Sequence, residues 1–317
     1  MTPSNKKRIV DLAVKHNISL IHVRSRAPAW SAYWAAKELN LPFVTTFHGT
    51  YGTNGLFKKK YNSIMLKGDA IIAISKFIKK HIEDEYNLKR RVHIIPRGVN
   101  VDIFSPKKVT SARLVNAAKK IKMESDDKVV LLPGRLTSWK GHKLAIHATS
   151  KLKIENFKLV IIGDVQERDK YKNELIKLAS SLKVGNKVIF LDHTRDLPSY
   201  LMLSDLVLSC STKPEAFGRT VLEAQAMGRP VIAFSHGGSI ELIEDNQNGT
   251  LCKVADINDL ARNIEKNLYL SPNKRKALSN KSITNVRKKY LTDFMSEKTL
   301  KLYKNLIKSF SEKNFNY

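Results

Sequence analysis

Glu215 and Glu223 stand eight positions apart in the stretch PEAFGRTVLEAQAMGRPVIAFSHGG, Pro214 to Gly238. A Phe-Gly pair lies between them, and an apolar strand and Gly237-Gly238 follow. The pattern predicts a helix starting near Gly218, with Glu215 ahead of it and Glu223 a turn or more inside. Backbone N–H groups near Phe217, Gly218 and Arg219 would then be unpaired donors suited to a diphosphate. Two carboxylates beside a phosphate repel it unless they face another part of the ligand. Sugar and ribose hydroxyls are such a part, because a carboxylate accepts hydroxyl hydrogen bonds. On this reading the stretch fits a nucleotide sugar, with phosphates on the helix end, ribose on one glutamate and hexose on the other. The competing reading is structural: Glu215 caps the helix or answers its dipole, and Glu223 is an exposed helix residue.

A second cluster is PGRLTSWKGH, Pro133 to His142. Arg135 and Lys140 occupy a strand-to-helix loop flanked by Gly134 and Gly141. Two cations at a helix N-terminus make a phosphate clamp, one a planar fork and the other a point charge. Two solvated loop cations are the plainer account.

The elements that must position these residues are legible from periodicity. Strands read at ISLIHVRS, PFVTTFHG, AIIAIS and RVHIIPRGVN, separated by helices at APAWSAYWAAKELN, FKKKYNSIMLKG and KFIKKHIEDEYN. After a helix near SARLVNAAKKIKM the pattern restarts. KVVLLPGRL, FKLVIIGD, KVIFLD, DLVLSCS and PVIAFS read as strands, with helices at HKLAIHATSKLK, RDKYKNELIKLASSLK and LPSYLMLS. Beyond Ala255 the chain reads as basic helix to Tyr317, broken at Pro272. Alternation of this kind predicts two α/β domains with mainly parallel sheets facing a cleft. They are residues 1–105 and 106–317, the last helix, about 290–317, packing back on the first domain. Ligands of open parallel sheets bind beyond the C-terminal strand ends, where the unusual residues fall.

The 317 residues suit two domains, and 42% hydrophobic residues suffice for packed interiors. No apolar run reaches the length of a membrane span, and MTPSNKKRIVDLAVKHN lacks the apolar core of a secretory signal. Cys210 and Cys252, the only cysteines, indicate no disulfide framework, which fits a reducing cytoplasm. Lys and Arg total 56 against 29 Asp and Glu, a net charge of +27. Such charge attracts polyanions, but the lysines are spread along the chain and do not select one. Signatures of RNA- or DNA-binding modules and interleaved stacking aromatics are missing, so nucleic acid is not an expected partner. No DxD-type or histidine cluster has metal-ligand spacing.

EAFGRTVLEAQAMGRPVIA followed by GG resembles the E-x7-E signature of family 4 retaining glycosyltransferases, which have the GT-B fold of two Rossmann-like domains. PGRLTSWKGH is similar to their donor loop. FHGTY, IIPRGVNVDIFSP, IIGD and DLPSYLMLSDLVLSCS follow in the family's order, covering nearly the whole chain from about Ile18. The resemblance implies that Arg135 and Lys140 hold the donor diphosphate, with Gly134 beside them. Glu215 would contact the transferred sugar, with Ala216, Phe217, Gly218 and Arg219 near sugar and phosphate. Glu223 would take the ribose hydroxyls, Asp164 would shape the adjoining loop, and the LDHT loop with His193 would lie at the base. His48 would stand near sugar and acceptor. It further implies retention of configuration, no metal, and no cofactor apart from the nucleotide-sugar substrate.

The first strand and Gly-rich loop that open the family's N-terminal domain are not in this sequence, so the domain is expected to be shortened and one strand left at an edge. Arg24 and Arg26 follow a strand and would face an acidic acceptor. LFKKKYNSIMLKG and KFIKKH set lysines beside apolar residues, as in helices lying on anionic lipid, or as solvated faces over a core. The former suits a lipid-linked or lipopolysaccharide-type acceptor and a cytoplasmic enzyme peripheral on the inner membrane face. A catalytically silent scaffold of the same fold, and a nucleic-acid-binding protein, are the rival expectations.

Overall fold

The computed structural model describes residues 3–52, 55–164 and 169–315. Expectations touching Met1, Thr2, Arg168, Asn316 and Tyr317 lie outside the described residues. The chain divides into two compact units, one of residues 1–98 with 292–317, the other of residues 99–291. The sequence boundary at 105/106 lies further along than this division. Residues 99–105 go with the second unit because its two ends are tied, Val99 N donating to Tyr290 O at 2.8 Å.

The first unit holds β1 (Ile21–Val23), β2 (Phe43–Phe47), β3 (Ala70–Ala73) and β4 (Val92–Ile94) in one parallel sheet of order β1-β2-β3-β4. All five residues of β2 and all four of β3 are buried. A central parallel strand covered on both faces must be apolar almost continuously, as FVTTF and AIIA nearly are. Buried Thr45 satisfies its hydroxyl by donating to Met65 O at 2.6 Å. Helices α1 (Pro3–Lys15), α2 (Arg26–Glu38), α3 (Leu56–Asn62) and α4 (Lys76–Tyr86) link and flank the strands. α4 is bounded by its own sequence: Ser75 Oγ accepts from Ile78 N at its start, and Asn87 ends it in the left-handed conformation. The basic segment after Gly55 is not one helix. α3 stops at Asn62, and Ser63–Leu66 form a 3-10 turn that buries Ile64 and Met65.

The second unit holds β5 (Lys128–Pro133), β6 (Phe157–Ile162), β7 (Val188–Leu191), β8 (Leu206–Ser209), β9 (Val231–Phe234) and β10 (Thr250–Cys252), all parallel, in the order β10-β9-β8-β5-β6-β7. β10, TLC, lies in no longer apolar run that would mark it as a strand in the sequence. The intervening helices are α5 (Ser111–Lys120), α6 (His142–Thr149), α7 (Asp169–Ser181), α8 (Leu197–Leu203), α9 (Arg219–Ala226), α10 (Ser239–Leu242), α11 (Ile257–Leu268) and α12 (Pro272–Lys289). Leu132, Ile161, Leu208, Phe234 and Ile264 share one buried core, where both free cysteines also lie. From β5 the strand order runs outward in two directions, so β5 and its neighbour β8 flank the switch point where crossover loops leave a crevice.

The basic C-terminal stretch forms separate helices. Ser271 caps α12 with Pro272 in its first turn, and α12 ends at Tyr290. α13 (Thr292–Phe315) follows and belongs to the first unit. Met295, Leu302, Tyr303 and Leu306 of α13 pack on Val44, Ala70, Ile72 and Ile95. Leu302→Asp should free this helix from its sheet, a loss of about 2 kcal/mol for one leucine face. Limited trypsin digestion at Lys298, Lys301 and Lys304 should then accelerate roughly tenfold or more, with residues 99–291 unaffected.

Candidate functional site

Gly134, Arg135 and Lys140 lie in the loop after β5, and Glu215 to Gly218 lie in the loop after β8, the two sides of the switch point. Lys140 Nζ donates to Glu215 Oε1 at 2.5 Å, and Ser211 Oγ donates to the same oxygen at 2.5 Å. The lysine and glutamate side chains keep only 19% and 18% of their exposure. Water therefore screens this pair less than an ordinary surface ion pair. Glu215 neither caps α9, whose N-cap is Gly218, nor faces open solvent.

Backbone packing fixes the two loops against each other. Thr212 N donates to Trp139 O at 2.7 Å. Lys140 Nζ lies 4.5 Å from the centre of the Trp139 ring, a cation–π contact that aims the amine. Gly141 has φ +78°, and a Cβ there would stand 1.9 Å from Cys210 O, so only glycine lets the β5 loop approach β8 this closely. Gly238 N donates to Glu215 O at 2.7 Å, and a Cβ on Gly237 would come within 2.5 Å of the same oxygen. The Gly-Gly pair is thus the platform on which Glu215 rests. His236 Nε2 contacts Ser211 O at 2.7 Å on the same side.

α9 begins at Arg219, so the amides of its first turn have no intrahelical acceptor and point out of its N-terminus. Phe217 is buried, its ring 6.1 Å from that of Tyr290. Glu223 is buried, which overturns the reading of an exposed helix residue. It accepts from Arg219 at 2.8 Å. The order Arg then Glu is the poorer one for helix support, so the pair is not explained by helix stability. Asp164 is exposed, and its carbonyl accepts from Leu136 N at 3.1 Å, so its backbone shapes the β5 loop. His193 is exposed just beyond β7, and Arg135 is exposed in its loop.

His142, the residue after Gly141, is fully buried. Burial pushes its pKa down to about 4, against the opposing pull of the Thr137 carbonyl, so it is neutral beneath the loop that carries Lys140.

The residues expected on the acceptor side belong to the first unit. Arg24 Nε donates to His48 Nε2 at 3.1 Å. Arginine only donates, so His48 carries its proton on Nδ1. Burial, then Arg97 and Arg24, lower its pKa to about 4. Arg26 is directed elsewhere: it donates to Asn62 Oδ1 at 2.9 Å and stacks 4.5 Å above Tyr51. Around Arg24 and His48 lies a cavity of about 440 Å³ that also takes in His22, Thr46, Arg97 and Tyr303. His22 Nδ1 is bonded to the Tyr303 hydroxyl, and its Nε2 lies 2.7 Å from Thr46 Oγ1.

Sequence reading missed Ser211, Trp139 and His236 in one unit and His22, Arg97 and Tyr303 in the other. His22 had a signal, since it stands two positions before Arg24 and shares its face of the strand. Tyr303 had none, because 281 positions separate it from its partner.

Residues 116–284 match the sequence model for glycosyl transferases group 1, and residues 1–103 match that for Glycosyltransferase Family 4. The crystal structure of a glycosyltransferase from Rickettsia africae ESF-5 superposes with a TM-score of 0.90 at 37% identity, covering 96% of this chain and 81% of that one. The N-acetyl-alpha-D-glucosaminyl L-malate synthase of Bacillus anthracis is 24% identical over 80% of this chain and 66% of its own length. The alpha-monoglucosyldiacylglycerol synthase of Streptococcus pneumoniae is 26% identical over 77% of this chain and 58% of its own length. The chain thus spans less than two thirds of these two curated relatives. Two sheets of parallel strands, loops gathered at the switch point and family models over both halves make this chain a member of the group 1 glycosyl transferases, with the GT-B fold.

Proposed function

We propose that the chain transfers a sugar from a nucleotide-sugar donor to a lipid-linked or lipopolysaccharide-type acceptor, with retention of configuration. The observation that carries this reading is the Lys140–Glu215 pair at the switch point, beside the open end of α9. A diphosphate entering there meets Arg135, Lys140 and the first-turn amides of α9. Lys140 bridges from the carboxylate to a phosphate oxygen, and Glu215 turns its freed acceptor capacity to the hexose hydroxyls. Glu223, buried and held by Arg219, is the acceptor for the ribose. Gly134 lies beside the Lys140 side chain, and Ala216 and Phe217 supply backbone near the sugar. His193 stands at the nucleobase end.

In the transition state, negative charge grows on the leaving diphosphate. Fixed cations and amides already aimed at that position stabilise it without reorganisation. They supply the charge this chemistry needs, so the reading routes no step through a metal or a cofactor. Front-side attack, with the leaving phosphate oxygen taking the acceptor's proton, preserves the configuration and requires no enzyme nucleophile. A retaining hydrolase would instead place two carboxylates on either side of the bond. His48 lies on the acceptor side as a neutral hydrogen-bonding group.

The acceptor class draws support from two sources. One relative's name is that of a glucosyldiacylglycerol synthase. In α3, Phe57 is 93% exposed and is followed by exposed Lys58, Lys59 and Lys60, a surface suited to anionic lipid. No helix among the described residues is long and apolar enough to cross a membrane.

A panel of UDP- and GDP-sugars tests the donor. Lys140→Ala should lower turnover by roughly 10²–10³-fold, the scale of one lost charge-stabilising donor, while the melting temperature falls by no more than a few degrees as Glu215 loses its cation. Unaltered turnover would exclude the assigned role. The pH profile gives a second check. With a pKa of about 4, His48 is neutral above pH 5, so removing it should leave no titration limb near 6.5 to disappear. A limb at pH 6–7 that vanishes in His48→Asn would show that the histidine titrates during turnover.

A further inference from the structure

The cavity in the first unit sits where four parallel strands end. Arg24 follows β1, His48 follows β2, Ile74 follows β3, and Ile95 and Arg97 follow β4. Its remaining wall is α13, through Met295, Ser296, Thr299, Leu300 and Tyr303. The bonds from His22 to Tyr303 and Thr46 pin that wall to the sheet.

Charge in the cavity is one-sided. Among the described residues lining it there are two arginines and no carboxylate. Both histidines feel this. Burial lowers their pKa first, and the arginine charges lower it further, to about 4 in each case. They are neutral hydrogen-bonding groups in a positive field. Low-dielectric walls of buried Ile72, Ile74 and Ile95 strengthen that field and make an opposite charge favourable inside it. Two planar forks on one space match a group with several equivalent oxygens, which describes a phosphate better than a single carboxylate. The apolar wall asks for a hydrocarbon beside that anion. About 440 Å³ holds a phosphate with the first few carbons of a chain, and falls in the usual range of ligand sites.

We propose that this cavity binds a phosphate or phosphodiester carrying a hydrocarbon group, the anion held between Arg24 and Arg97 and the hydrocarbon laid against Ile74, Met295 and Leu300. Naming that ligand as the sugar acceptor rests on the transferase reading above, whereas its binding does not. α13 then does more than cover the sheet, because residues from the far end of the chain select what the loops of the sheet hold.

The probe is farnesyl phosphate, with inorganic phosphate and farnesol as its two halves, each titrated calorimetrically into the full chain in the same mild detergent. Farnesyl phosphate should bind at least tenfold more tightly than either half. Arg97→Ala should lose tenfold or more for farnesyl phosphate, with Arg97→Lys between it and the parent. Leu300→Asp should lose farnesyl phosphate while keeping inorganic phosphate. Lys140→Ala, which tests the donor site, should leave farnesyl phosphate binding unchanged, so failure of one reading is distinguishable from failure of the other. Farnesol binding as tightly as its phosphate, or equal affinity in Arg97→Ala, would overturn the proposal. Inorganic phosphate binding as tightly as farnesyl phosphate would remove the hydrocarbon half of it.

Discussion

One ion pair lies where the second unit changes direction. Lys140 and Glu215 come from loops after β5 and β8, adjacent strands whose onward connections leave toward opposite edges of the sheet. Such a reversal opens a crevice that no crossover helix can fill. The pair spans the loops on its two sides, and around it the backbone is drawn tight. Gly141 meets the Cys210 carbonyl, Trp139 accepts from Thr212, and Gly238 donates to the Glu215 carbonyl. A carboxylate this shielded needs its cation and its hydroxyl donor, and Lys140 and Ser211 supply them.

The large positive charge is put to different uses in the two units. In the second unit, cations sit beside a helix N-terminus and next to carboxylates, so the site offers both signs of charge. In the first, Arg24 and Arg97 share a cavity whose other polar groups are neutral. Burial first, and then the same field that would draw an anion, keep His22 and His48 unprotonated. Histidines that an ordinary pKa would charge below neutrality serve here as fixed donors and acceptors.

Much of this was readable before any coordinates. Near-continuous apolar runs located the strands β1 to β9, since a parallel strand buried on both faces can hardly be written otherwise. The spacing of Arg135 and Lys140 about glycines, and of Glu215 and Glu223 about Gly218, singled out the two loops that the fold brings together at the ends of β5 and β8. Reading failed where the signal is short or distant. β10 lies in no apolar run long enough to mark it. The break at Asn62 depends on the burial of Ile64 and Met65 in a 3-10 turn, which helical periodicity does not foresee. Arg26 looked equivalent to Arg24, yet Asn62 and Tyr51 claim its guanidinium.

By itself, the sequence determined the succession of elements, the glycine positions and the charges available at each strand end, because these follow from local sterics and from the pattern of apolar residues. Only the tertiary structure decided which charges meet. Strand order is set by packing between segments far apart in the chain, and with it the adjacency of β5 and β8 that joins Lys140 to Glu215. The return of α13 to the first sheet was an expectation of the sequence, but the residues it meets there were not. Its apolar stripe is visible in the sequence, but the contact of Tyr303 with His22 exists only because that stripe finds Val44, Ile72 and Ile95 to cover.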